Sequence, residues 1–202
     1  MTSRGARRPR YRGPQAPTPG GAADETPDAD PESVARAIVL RQLTMAPRSR
    51  AQLAQKLAEH GTPTEVADHV LDRMEQVGLV DDEAFAEGWV RSRRETRGLS
   101  RRALAHELRT KGIDDDTARA SLELVDDDAE AATARELVRR RLPSVRGLPA
   151  ERQVNRLVGM LARKGYSSGL AFRVVREALA GEALIAAGQV LDDAVLDPGP
   201  ES

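Results

Sequence analysis

The chain contains no cysteine. Disulfides, thiolate metal sites and cysteine nucleophiles are therefore excluded. Its three histidines, His60, His69 and His106, are scattered and fall at non-equivalent places, whereas a metal site needs clustered ligands. They read as helix-surface residues, and no metal is expected. Aromatic side chains are scarce, at 2 % against 40 % hydrophobic residues overall. The core must then be built from Leu, Val, Ala and Met, a mixture that favours helix over sheet. No apolar run approaches the ~18 residues of a membrane span. The basic N-terminus lacks an apolar stretch, and Arg7-Arg8 is followed by Pro9, Arg10 and Tyr11, so neither a secretory nor a twin-arginine signal is read. A cytoplasmic protein is expected. Neither sign of charge prevails: 31 basic and 32 acidic residues leave a net charge of -1. Contact with an anionic partner then requires local segregation of charge. There is no Gly-rich phosphate loop and no nucleophile beside a base. The expectation is a protein that is not an enzyme and has no cofactor.

What the chain does contain is internal repetition, at a period of about fifty residues. Leu53, Leu57 and Gly61 recur as Leu104, Leu108 and Gly112, and again as Leu157, Leu161 and Gly165. Six residues beyond each glycine stands Ala67, Ala118 or Ala171, and ten beyond stands Leu71, Leu122 or Val175. Each copy is a helix, a glycine turn and a second helix, preceded by one more helix. The fold class read from this pattern is all-α, a tandem array of three three-helix, helix-turn-helix-like repeats.

The units are placed at 31–80, 81–126 and 127–181. Residues 1–30 are rich in Pro, Gly, Ala, Asp and Arg and cannot bury enough surface to offset ordering entropy, so they read as a disordered tail. The tail's basic first part suits either solubility or contact with nucleic acid. Residues 182–202 read as a C-terminal helix around Leu184–Leu196 and a frayed end.

Within the first unit, Pro31 opens a helix whose apolar set is Val34, Ala37, Ile38, Leu40, Leu43 and Met45, and Pro47 ends it. Ser49 caps the next helix, which Gly61 closes. Thr62-Pro63-Thr64-Glu65 has the form of a capping box, with Val66, Val70, Met74 and Val77 on the apolar face behind it. In the second unit Asp81 or Asp82, Ser100 and Asp114 are the caps, and Gly98 and Gly112 the stops. In the third, Pro149 opens a helix to Gly165, and a last repeat helix runs to Gly181.

Helix pairs of this kind also describe a DNA-reading helix-turn-helix. Against that, the third helices carry Glu65, Asp68, Asp72 and Glu75 in unit 1 and Asp114, Asp115, Asp116 and Glu123 in unit 2, and acids do not approach phosphates. Positive charge collects instead in two bands. One is Arg91, Arg93, Arg94, Arg97, Arg101, Arg102, Arg109 and Lys111; the other is Arg135, Arg139, Arg140, Arg141 and the nearby Arg146. Both cover the end of a unit's first helix and the loop after it, and this recurrence favours a binding surface over a merely solvated face. An acidic band from Asp114 to Glu130 lies between them. Alternating bands suit a partner with patterned charge, such as a protein filament on DNA. Phe85 and Trp89, four residues apart, read as a core anchor in preference to a base-stacking platform.

The run Gly78-Leu79-Val80-Asp81-Asp82-Glu83-Ala84-Phe85-Ala86-Glu87-Gly88-Trp89-Val90-Arg91-Ser92-Arg93 resembles the signature of the RecX regulatory proteins. Leu104, Leu108 and Lys111-Gly112-Ile113 are similar to the next block of that family, and Arg163-Lys164-Gly165-Tyr166 to its counterpart in the third unit. The resemblance spans residues 33–181. It implies tandem three-helix repeats and a bacterial cytoplasmic modulator of the RecA recombinase. Such a protein lies in the groove of the RecA filament on DNA and inhibits ATP hydrolysis, strand exchange and co-protease activity. The family has no catalytic residues to carry over. Weak, sequence-independent DNA binding and a monomeric state are expected; the alternative is a DNA-binding transcriptional regulator built from tandem helix-turn-helices.

Overall fold

The computed structural model describes residues 30–123 and 125–196, with side-chain surroundings through Ile185. The expected tail up to residue 29 and the frayed end from 197 to 202 lie outside the described residues. The chain forms nine α-helices and a single 3-10 turn, Leu142–Ser144, with no strand among the described residues. The first unit is α1 (Pro31–Met45), α2 (Arg50–Glu59) and α3 (Thr64–Gln76); the second is α4 (Asp82–Arg97), α5 (Arg101–Thr110) and α6 (Asp115–Glu123); the third is α7 (Asp127–Arg141), α8 (Ala150–Arg163) and α9 (Ser168–Leu196). Helices pack chiefly within their own unit, and each unit has its own apolar core.

Local chemistry sets the helix ends. Ser49 and Gln52 form a reciprocal capping box at α2, and Ser100 caps α5 by accepting from Ala103 N–H. Asp81 caps α4, Asp126 caps α7, and the Asp114 carboxylate accepts from Asp116 and Thr117 N–H at the start of α6. The repeated leucines are the centre of each core: Leu53, Leu57, Leu104, Leu108, Leu157 and Leu161 are all at most 1 % exposed.

Four details depart from the sequence reading. On α1 the buried residues are Ala35 and Val39, while Val34, Leu40 and Met45 face outward. The small Ala35 lets α1 come close to the helices it packs on, and that contact sets its rotation. No capping box forms at α3: Pro63 is the N-cap, with no side-chain cap, and Thr62 sits one residue too far upstream. The buried face of α3 is Ala67, Val70, Leu71 and Met74, leaving Val77 exposed. Finally, Gly181 does not end a helix. The chain runs straight through it as α9, held on its flanks by α7 and α8 and by the ion pair of Glu182 with Arg146.

Neighbouring units meet through a joint made twice from equivalent residues. At the first, Ser49 Oγ donates to the Lys111 carbonyl at 2.5 Å and Arg50 N–H donates to the Asp82 carboxylate at 2.8 Å. At the second, Ser100 N–H donates to the Lys164 carbonyl at 3.0 Å and Arg101 N–H to the Glu130 carboxylate at 2.9 Å. At both joints the N–H of the first helical residue is satisfied by an acid in the next unit's first turn, while that unit's helix-end carbonyl accepts from the capping serine's hydroxyl at the first joint and from its N–H at the second. The second joint adds Tyr166, whose buried hydroxyl donates to the Gly98 carbonyl at 3.1 Å. In unit 3 the second helix begins one turn earlier relative to its leucines and its N-cap is Pro149, which has neither hydroxyl nor N–H, so the serine cap of the two joints is not repeated there.

Candidate interaction surface

The first basic band begins on the last turns of α4. Asp81 starts this helix and Gly98, left-handed at φ 57°, stops it, so Arg91, Arg93, Arg94 and Arg97 all project from regular helix. Phe85 is buried and stacks on half-buried Trp89 at 5.8 Å between centroids. Trp89 Nε1 donates to Glu107 Oε2 at 2.9 Å, joining α4 to α5. The Arg93 guanidinium lies 4.0 Å from the Trp89 ring centroid and Lys111 Nζ 4.8 Å from it. The aromatic pair is therefore an anchor whose outer ring is already engaged by cations.

Much of the predicted cationic surface is paired within the molecule. Arg97 meets Glu107 at 2.9 Å, and Arg93 Nε lies 3.3 Å from the same carboxylate without a hydrogen bond. Arg101 pairs with Asp127 at 3.1 Å and Arg109 lies 3.8 Å from Asp115. In the second band Arg135 faces Glu177 at 3.6 Å, and Arg139 and Arg140 share Glu136. Hydrogen bonds from Arg139 and then Arg140 hold the Glu136 carboxyl down at about 2. Arg146 pairs with Glu182. Arg91, Arg94, Arg102 and Arg141 have no ion-pair partner among the described residues.

The acids that the sequence reading grouped as bands are mostly structural. Arg50 gathers Asp72 at 2.7 Å, Glu75 at 2.8 Å and Asp68 at 3.9 Å on α3. Asp82 bonds to Arg50 N–H across the first joint, and its burial pushes its carboxyl above the ordinary range. Asp114 and Asp126 are caps, Asp116 pairs with Arg119, and Glu130 belongs to the second joint.

A basic site that the sequence reading missed lies on unit 3. An open groove of about 640 Å³ is lined by Arg141, Asn155, Arg156, Met160 and Arg163, with no carboxylate in its wall. Arg156 and Arg163 lie seven residues apart on α8, two turns along one face. The legible signal was Arg152, Arg156 and Arg163 at helical spacing, with no acid three or four residues from any of them. Among the described residues no cluster of His, Asp or Glu is placed to hold a metal ion, and no helix is long and apolar enough to cross a membrane.

Comparison with known proteins matches this architecture unit by unit. Family models for the first, second and third three-helix domains of RecX match residues 35–74, 81–122 and 128–175. The regulatory protein RecX of Thermobifida fusca (strain YX) is 55 % identical over 170 residues, covering 84 % of this chain and 90 % of that protein. That of Streptomyces coelicolor is 53 % identical over 156 residues, covering 77 % and 83 %. The crystal structure of RecX from Lactobacillus salivarius superposes with a TM-score of 0.67 at 22 % identity over 74 % of this chain and 97 % of that one, a likeness of fold. A second crystal structure of a regulatory protein RecX gives 0.65 at 26 % identity, over 74 % and 73 %. With its three tandem units each matched in order, the chain belongs to the RecX family of regulatory proteins.

Proposed function

We propose that this protein binds the RecA recombinase filament on DNA in the cytoplasm and restrains its ATP hydrolysis, strand exchange and co-protease activity, without catalysing a reaction of its own. The reading rests on family membership. It is supported by one structural observation: Arg91, Arg94 and Arg102 on unit 2 are cations without an internal partner among the described residues, and Arg102 lines an open groove together with Asp115 and Arg119 of α6. A mixed-charge surface of this kind is complementary to a protein partner of patterned charge. Transcriptional regulation through tandem helix-turn-helices is disfavoured by the acids on α3 and α6, the helices that would have to approach DNA.

The test is RecA-dependent ATP hydrolysis on single-stranded DNA, titrated with the wild type and with an R91E/R94E/R102E variant. The wild type should lower the rate, and the variant should need about tenfold more protein or worse, equivalent to about 1.4 kcal/mol. No inhibition by the wild type would reject the reading.

A further inference from the structure

The groove on unit 3 differs in kind from the basic bands. Its three arginines, Arg141, Arg156 and Arg163, have no ion-pair partner among the described residues, and nothing acidic lines it. Helix stability does not account for all three. Arg141 and Arg163 sit in the last turns of α7 and α8, where cations favour the helix dipole. Arg156 is mid-helix, four residues after Arg152, and a like-charge pair at that spacing destabilises a helix. Nor does the repeat require them: Ala103 and Gln52 stand where Arg156 does, and Thr110 and Glu59 where Arg163 does. Gly159 lies on the same helix, and a Cβ there would fall 3.6 Å from Arg163 Nη1, so the Arg163 head folds back along α8 toward Arg156.

We infer that this groove is a binding site for the sugar–phosphate backbone of DNA, separate from the mixed-charge surface of unit 2. A guanidinium fork matches two phosphate oxygens, and the Asn155 amide adds a neutral donor. The single sign of the groove distinguishes the ligand. A protein surface brings cations along with its acids, and this groove has no carboxylate to receive them. A phosphodiester strand brings only negative charge. Half-buried Met160 gives the groove an apolar patch that suits sugar. The site is blind to base sequence. The inference rests on the proposed regulator reading for its biological setting, but its test needs no recombinase.

A fluorescein-labelled oligo-dT strand is titrated, by anisotropy, with the full chain at several salt concentrations from about 50 to 200 mM. R156E/R163E should weaken binding at least tenfold. R156Q/R163Q should lower the log–log salt slope by about 1.4, since each phosphate left without its arginine removes about 0.7. R91E/R102E should stay within about threefold of wild type, well short of the tenfold change, about 1.4 kcal/mol, expected of a phosphate-binding arginine. Thermal melting checks that the unit-3 variants remain folded; both side chains lie toward solvent along the open groove. Inorganic phosphate at millimolar concentration should compete poorly. Three results would overturn the inference: no strand binding by the wild type, unchanged binding by both unit-3 variants, or full displacement by inorganic phosphate. If the strand binds as expected but the wild type has no effect on RecA ATP hydrolysis, the groove stands and the regulator reading fails. If inhibition is present and the unit-3 variants bind DNA normally, the groove alone is rejected.

Discussion

Gly112 is constrained twice. Its φ of +78° lies in the left-handed region, and a Cβ there would fall 2.2 Å from Ala51 Cβ across the first joint. Gly61, the equivalent in unit 1, has φ +74° but nothing within 4 Å, since no unit precedes it in the described array. Gly61→Ala should therefore cost about 1–2 kcal/mol from backbone strain alone. Gly112→Ala should cost about 1–3 kcal/mol more from overpacking. Gly88, exposed inside α4 with open space around it, should behave oppositely, with Gly88→Ala stabilising by about 0.4–1 kcal/mol. Urea unfolding of the three variants checks the order. Tyr166 gives a pH-dependent case. Burial first, and then the Glu130 carboxylate, push its phenol up to about 12. A raised folded pKa means that its contribution is fully present below about 10 and is lost as pH rises through about 12. Tyr166→Phe should cost about 1–3 kcal/mol near pH 8, because the Gly98 carbonyl is left without its donor. The gap between variant and wild type should shrink between about pH 10 and 12; a constant gap in urea unfolding would refute the buried hydroxyl bond.

The leucine pairs carry the stability of the elements. Each lies on the second helix of its unit, turned toward the other two helices. Leu104→Ala and Leu108→Ala should each cost about 2–5 kcal/mol, and Leu53, Leu57, Leu157 and Leu161 should behave alike, because all six are at most 1 % exposed. A melting curve unmoved by Leu104→Ala would mean that the residue is not in the core. Helix existence and ends were legible because their signals are local: serine or aspartate before the helix, glycine after it, leucine at four-residue spacing. Helix rotation was not. Val34 and Leu40 are as apolar as Val39, and only the approach of α2 and α3 selects Ala35 and Val39 for burial. The continuation of α9 through Gly181 has the same origin. A glycine inside a helix costs about 1 kcal/mol, and packing outweighs that local preference.

At the scale of the molecule the arginines divide into two populations. Arg93 and Arg97 belong to the structure, through Glu107 and Trp89, whereas Arg91 and Arg102 touch no acid among the described residues. Reversing all four α4 arginines would therefore disturb the fold, because Arg93 and Arg97 are tied to Glu107 and Trp89. R93E/R97E should lower stability by about 1–3 kcal/mol, because Trp89 gives up the nearer of its two cations and Glu107 faces like charge, while R91E/R102E should stay within about 0.5 kcal/mol of wild type. Denaturant midpoints distinguish the two; equal midpoints would show the Glu107 cluster to be idle.

The amino-acid sequence alone determined the fold class, the number and order of the units, their glycine turns and their leucine cores. Each of these is written in residues a few positions apart, or in a repeat that can be counted. The tertiary structure alone decided which charges remain available. Arg101 finds Asp127, Arg135 finds Glu177 and Arg50 finds three acids of α3 only once helices distant in sequence are packed together. Arg141 joins Arg156 and Arg163 in one groove for the same reason, since α7 and α8 become neighbours only in the folded unit. Charge density can be read along a chain, but charge compensation is a property of distances in space, and these are set by packing.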